Sequence, residues 1–166
     1  MMSKPVATRR WIIGAALGGV GALALSQHLA AGRPNAPLKL SDAQWRQRLS
    51  PAAYKVLREA DTERPGTSPL LKEHRKGIFA CAGCGKPLFA STTKYDSGTG
   101  WPSFWQPLPD AIATMTDYET GYPRTEVHCR TCGGHLGHVF NDGPRPTGKR
   151  YCMNGLALVF RPAARA

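Results

Sequence analysis

Cys81-Ala-Gly-Cys84-Gly-Lys-Pro-Leu88 is echoed by Cys129-Arg-Thr-Cys132-Gly-Gly-His135-Leu136, with residues 85 to 128 between the two cysteine pairs. Each is a tight Cys-x-x-Cys turn followed by glycine. Such a turn aims two thiolates at one point, and Gly85 or Gly133 leaves the loop unhindered. Two turns supply the four sulfurs of a tetrahedral zinc site. Four protein ligands leave no open coordination position, so Cys81, Cys84, Cys129 and Cys132 read as a structural staple joining distant parts of one sheet. Two redox-active pairs or an iron–sulfur centre would use the same residues. Redox pairs usually sit alone before a helix, however, and these turns have strand-like flanks.

The sequence around the staple is β in texture. Short apolar runs (Ile78-Phe79, Leu88-Phe89, Ala111-Ile112-Ala113, Glu126-Val127, Val139-Phe140 and Leu156 to Phe160) alternate with Lys-Pro, Asp-Ser-Gly, Gly-Tyr-Pro and Asp-Gly-Pro breaks. Gly and Pro, 18 and 14, make up about a fifth of the 166 residues, which favours many turns over a helical bundle. The expected class is mainly β, antiparallel, with short helices at the start. Ser41-Asp-Ala-Gln44 has capping-box spacing and predicts a helix to about Leu49. Ser50-Pro51 starts a second, with Tyr54, Val56 and Leu57 on its apolar face and Arg64-Pro65-Gly66 ending it.

Residues 1–36 differ from the rest. They hold no acid, carry Lys4, Arg9 and Arg10 first, and continue with an apolar run from Trp11 to Leu25. This is the layout of an export signal, and Arg9-Arg10 before Trp-Ile-Ile resembles the twin-arginine type. An ordinary secretory signal or an uncleaved membrane anchor shares the pattern, although the run is short of the ~20 residues a spanning helix needs. The expectation is a signal and linker over 1–36 and an exported, periplasmic domain over 37–166. Removing the first segment leaves 18 basic and 11 acidic residues of the chain's 22 and 11. Without basic clusters, that is a soluble surface and not a nucleic-acid stripe. A monomer is expected.

The fifth cysteine carries the chemistry. Cys152 lies in Arg150-Tyr-Cys-Met-Asn154. A lone cysteine is often an inert buried thiol. On a strand, though, Arg150 and Asn154 would share its face, and a cationic neighbour favours the nucleophilic thiolate. His135-Leu-Gly-His138-Val-Phe-Asn-Asp142 offers imidazoles able to move protons near neutrality, with Asp142 to orient one; core histidines are the plain alternative. Tyr95-Asp-Ser-Gly-Thr-Gly-Trp101-Pro-Ser-Phe104-Trp105 is either a turn with core aromatics or a turn that presents Trp101 as a flat apolar wall.

Taken together these residues resemble the methionine-R-sulfoxide reductase family, B type, from about Leu40 to Phe160. The matching signatures are Gly77-Ile-Phe-Ala-Cys-Ala-Gly-Cys84, Asp96-Ser-Gly-Thr-Gly-Trp-Pro-Ser-Phe104, Arg124-Thr-Glu-Val127, Cys132-Gly-Gly-His-Leu-Gly-His-Val-Phe140 and Arg150-Tyr-Cys-Met-Asn154. The resemblance implies two antiparallel sheets stapled by one zinc, as in the β-tent fold. It implies that Cys152 attacks the sulfoxide sulfur while His138, with His135 nearby, protonates the oxygen. Trp101 and Phe104 would hold the substrate, and Asp142, Arg150 and Asn154 would orient or polarise the reacting groups. The implied partners are oxidised proteins or peptides and a thioredoxin-like or small-thiol reductant. Many family members have a resolving cysteine where Thr99 stands, so recycling here would need an external thiol. Two other classes compete: a zinc-ribbon interaction module, and carbon–sulfur chemistry at an open metal site, which four cysteines disfavour.

Overall fold

The computed structural model describes residues 36–118 and 120–164; the expected export segment lies outside them except for Ala36. That residue is already buried, and Leu38 N–H donates to Thr131 carbonyl at 2.8 Å, so the chain is docked from the first described residue onward. No helix among the described residues is long and apolar enough to cross a membrane.

Helix α1 (Asp42–Arg48) begins on the predicted capping box. Gln44 N–H donates to Ser41 Oγ at 3.3 Å, and Gln44 Oε1 accepts from Ser41 N–H at 2.8 Å. Helix α2 (Pro51–Glu59) is capped by Ser50 and buries Ala53, Tyr54, Val56 and Leu57. It stops earlier than Arg64-Pro65-Gly66, because Ala60 turns left-handed at φ 58°. The released residues run to Glu63, whose carboxylate accepts from the backbone N–H groups of Gly155 and Leu156.

Nine strands follow among the described residues: β1 (Gly77–Cys81), β2 (Pro87–Ala90), β3 (Lys94–Tyr95), β4 (Ser103–Phe104), β5 (Ile112–Asp117), β6 (Arg124–Cys129), β7 (His135–Phe140), β8 (Arg150–Met153) and β9 (Leu158–Pro162). They form a three-stranded sheet, β2-β1-β9, and a six-stranded sheet, β3-β4-β8-β7-β6-β5. Every recorded pairing is antiparallel. The strand foreseen from Leu156 begins two residues later, since Gly155–Ala157 is a 3-10 turn.

The sheets share one apolar core. Phe79 of the small sheet meets Phe104 of the large one edge-on at 5.0 Å, and Phe89 stacks on Phe104 at 4.4 Å. All three rings are fully buried, and losing one such ring costs about 3–5 kcal/mol.

The two cysteine turns are one structure made twice. Cys81 N–H donates to Lys86 carbonyl and Gly85 N–H to Cys81 carbonyl; Cys129 N–H donates to Gly134 carbonyl and Gly133 N–H to Cys129 carbonyl. Gly85 and Gly133 close the turns at φ 76° and 67°, a region that side chains disfavour. The first turn joins β1 to β2 and the second joins β6 to β7, so the four sulfurs meet between two sheets, as the resemblance implied, and not within one. The helices lie over this junction: Arg58 donates to Cys132 carbonyl at 3.0 Å and sits over the Trp45 ring.

Candidate active site

Cys152 stands half-buried in β8. Its register partner on one side is His138 in β7, and on the other Ser103 in β4. Directly opposed residues of antiparallel strands share a face, with Cβ atoms about 4.5–5.5 Å apart. Pairing of β7 with β8 therefore delivers an imidazole beside the thiol.

His135 and His138 are three positions apart and would face opposite ways on a regular strand. A bulge in β7 prevents this. Val127 pairs with Gly137 and His128 with His135, which leaves Leu136 as the extra residue. The two rings consequently meet edge-to-face at 5.4 Å. Each has its own acid: His135 Nδ1 lies 2.7 Å from Glu126 Oε1, and His138 Nε2 lies 2.7 Å from Asp117 Oδ2. Asp117 also receives the Arg124 guanidinium at 2.6 Å. Burial pushes the His138 imidazole below its ordinary range; the Asp117 hydrogen bond opposes this, and the Arg124 charge adds to it.

Asp117 thus takes the place foreseen for Asp142. Asp142 is exposed and grips Arg150 instead, through Nε at 2.9 Å and a terminal nitrogen at 2.8 Å. Each member holds the other charged: hydrogen bonding to Arg150 lowers the Asp142 carboxyl, and hydrogen bonding to Asp142 raises the guanidinium. Arg150 also stacks on Phe140 at 4.3 Å. It shares the Cys152 face, two residues along the strand.

Asn154 does not share that face, because β8 ends at Met153. It is buried; its Oδ1 accepts from Glu63 N–H at 3.0 Å and its Nδ2 donates to Leu136 carbonyl at 3.3 Å. It thereby links the Glu63 loop to Leu136, the bulge residue. Phe104, expected to hold the substrate, has no exposed surface and two rings packed on it, which places it in the core.

Trp101 remains half-exposed, pinned by its indole N–H on Glu63 carbonyl at 3.0 Å. It lies two residues from Thr99 and two from Ser103, the residues flanking the sulfur. Gly100 lets this loop touch the one before it: a Cβ there, at φ 90°, would lie 2.8 Å from Pro65 Cβ. Glu63, absent from the sequence reading, thus unites Trp101, Asn154 and the turn at Gly155.

Away from these groups, the Sγ atoms of Cys81 and Cys132 are 3.7 Å apart and those of Cys84 and Cys129 3.6 Å apart. All four lie within 4.8 Å of one another and could hold a metal ion. The arrangement as a whole is a thiol with two acid-backed imidazoles, an arginine and an aromatic wall.

The family model described as the SelR domain matches residues 49–162. The peptide methionine sulfoxide reductase MsrB of Agrobacterium fabrum is 54% identical over 123 residues, covering 74% of this chain and 91% of the relative. That of Leifsonia xyli is 53% identical over 134 residues, 80% and 96% of the two chains, and that of Leptospira interrogans 51% over 128 residues, 76% and 98%.

Proposed function

This chain belongs to the SelR-domain family of MsrB-type methionine sulfoxide reductases, and from that premise we propose that it reduces the R epimer of peptide-bound methionine sulfoxide through Cys152. The observation that carries the reading is the register pairing of Cys152 with His138. The Cys152 sulfur attacks the sulfoxide sulfur as His138 protonates the oxygen, with Asp117 fixing the ring through Nε2. The hydroxyl so formed passes from the substrate sulfur to the Cys152 sulfur, the substrate's sulfur–oxygen bond and the new sulfur–sulfur bond both break, and methionine departs from Cys152 sulfenic acid. The substrate sulfur is reduced by two electrons and the cysteine sulfur oxidised by two. Trp101 bears on the methyl group, and the fixed order of wall, acid and nucleophile selects one epimer. Arg150, on the same face two residues along β8, sets a fixed positive charge close enough to interact with Cys152.

With the four zinc-turn cysteines bound, no thiol remains to resolve the sulfenic acid, so an external thiol is the reductant. One turnover without reductant should add one oxygen to Cys152, seen by mass spectrometry and trapped by a sulfenic-acid reagent. Thr99→Cys should give an internal disulfide instead, since Thr99 Oγ1 already lies 3.7 Å from Cys152 Sγ. A wild-type disulfide between Cys152 and a turn cysteine, with metal released, would overturn this recycling scheme.

The metal we propose is one structural zinc. Bonds of about 2.3 Å in a tetrahedron place sulfurs roughly 3.8 Å apart, close to the spacing of the two sulfur pairs. Cys81, Cys84, Cys129 and Cys132 would hold it, and its chemistry would be that of a cross-link only.

His138 must be protonated to act as the acid. Its depressed pKa makes kcat/KM fall as pH rises through a value below the ordinary 6.5. In stability the sign is the reverse of a paired histidine: the contribution is full above that ordinary value and is lost as pH falls through the folded one. Asp117→Asn removes the main group holding the proton on. The falling limb should move to still lower pH, and kcat/KM at neutral pH should drop about tenfold or more. An unmoved pH profile would take Asp117 out of the mechanism.

A further inference from the structure

Four polar atoms run in single file from the Cys152 sulfur into the sheet. Sγ lies 3.7 Å from Thr99 Oγ1, which is 2.8 Å from Ser97 Oγ, which is 2.7 Å from Ser103 Oγ. Ser103 is fully buried and donates to Trp101 carbonyl at 3.1 Å. Each hydroxyl owns a single proton. That of Ser103 is committed to the carbonyl, so Ser103 accepts from Ser97. The Ser97 proton is thereby used, and Ser97 accepts from Thr99. The Thr99 proton is used in turn, and Thr99 accepts from the Cys152 thiol. The file has one direction, and the thiol is its first donor.

From this we infer that Thr99 is a catalytic residue, which stabilises the Cys152 thiolate by reversal of the file. The inference rests on Cys152 being the nucleophile. When the thiol proton leaves, Thr99 turns its O–H to the sulfur, Ser97 donates to Thr99, and Ser103 donates to Ser97. Only the Trp101 carbonyl loses a partner, and an under-satisfied carbonyl is tolerated better than an orphaned N–H. A weak S–H donor is exchanged for O–H···S⁻, and charge-assisted bonds are roughly twice as strong as neutral ones. No proton travels along the file, since a carbonyl cannot take one. The hydroxyls rotate, and the thiol proton departs on the imidazole or solvent side. Thr99 therefore does more than mark a missing resolving cysteine: it readies the sulfur for attack.

The test is alkylation of the zinc-loaded resting enzyme by iodoacetamide across a pH series, read at Cys152 by peptide mass. Thr99→Val should slow alkylation at neutral pH about tenfold, equivalent to about 1.4 kcal/mol, and should recover the wild-type rate at high pH. Thr99→Ser should restore the wild-type profile. Ser97→Ala cuts the file behind Thr99 and frees its proton for the sulfur, so reactivity should equal or exceed wild type. A wild-type profile in Thr99→Val, slowing that is equal at every pH, or a Ser97→Ala loss as large as that of valine would each overturn the relay. Sulfoxide turnover is scored in parallel. The expected alkylation pattern in an enzyme inactive on sulfoxide would sustain the relay and sink the functional reading; normal turnover with an unmoved alkylation profile would sink the relay alone.

Discussion

Cys152→Ser is expected to keep the fold and its metal while losing methionine sulfoxide reduction by roughly 10⁴-fold or more, the scale of removing a covalent nucleophile. The change is nearly isosteric, and a half-buried position on β8 tolerates it. The loss is chemical. Moving oxygen from a sulfoxide onto sulfur makes a sulfenic acid, a bounded oxidation state of cysteine; moving it onto a serine oxygen would make a peroxide. A serine hydroxyl beside the imidazole also stays protonated where a thiol ionises. Methionine formation should be undetectable above background while the melting temperature stays within a few degrees of wild type. A serine variant that still turns over would move the reaction to another group altogether.

The second large effect concerns the junction of the sheets. Cys84→Ser should lose the zinc and lower the melting temperature by more than about 10 °C. Apparent structural-zinc affinities are worth about 10–16 kcal/mol in small domains, against total domain stabilities of about 5–15 kcal/mol. The expected shift is therefore several degrees for each of several kcal/mol lost. The effect should be large here because Cys81 ends β1 and Cys129 ends β6, so the two turns belong to different sheets. Metal analysis with thermal melting decides it: full zinc content and unchanged melting in the variant would remove the staple from the account.

The cysteine turns were legible because their chemistry is local. Two Cys-x-x-Cys-Gly segments dictate the same hydrogen bonds wherever they fall, and the structure repeats them bond for bond. The capping box at Ser41 and the proline start at Pro51 are local in the same way. What escaped depends on register. Nothing in the sequence marks Leu136 as the bulge that turns His135 and His138 to one side. Asp142 looked like the histidine's partner by nearness in sequence, whereas Asp117 reaches His138 from two strands away. Asn154 was placed by extending strand alternation one residue past the end of β8. Phe104 was grouped with Trp101 because one glycine-rich segment carries both, yet only Trp101 keeps a free face. Glu126 stands in the Arg124-Thr-Glu-Val127 signature and could have been singled out. Glu63, a lone acid in a loop, gives no signal until the fold brings Gly155 and Leu156 to it.

The most direct measurement of the central claim is turnover of a methionine sulfoxide peptide whose epimers have been separated, with dithiothreitol as reductant. In the proposed mechanism one face of the sulfur offers its methyl group to Trp101 and its oxygen to His138 while leaving the sulfur open to Cys152. The account predicts reduction of the R epimer and no detectable reduction of the S epimer. Equal rates on both, or none on R, would contradict it.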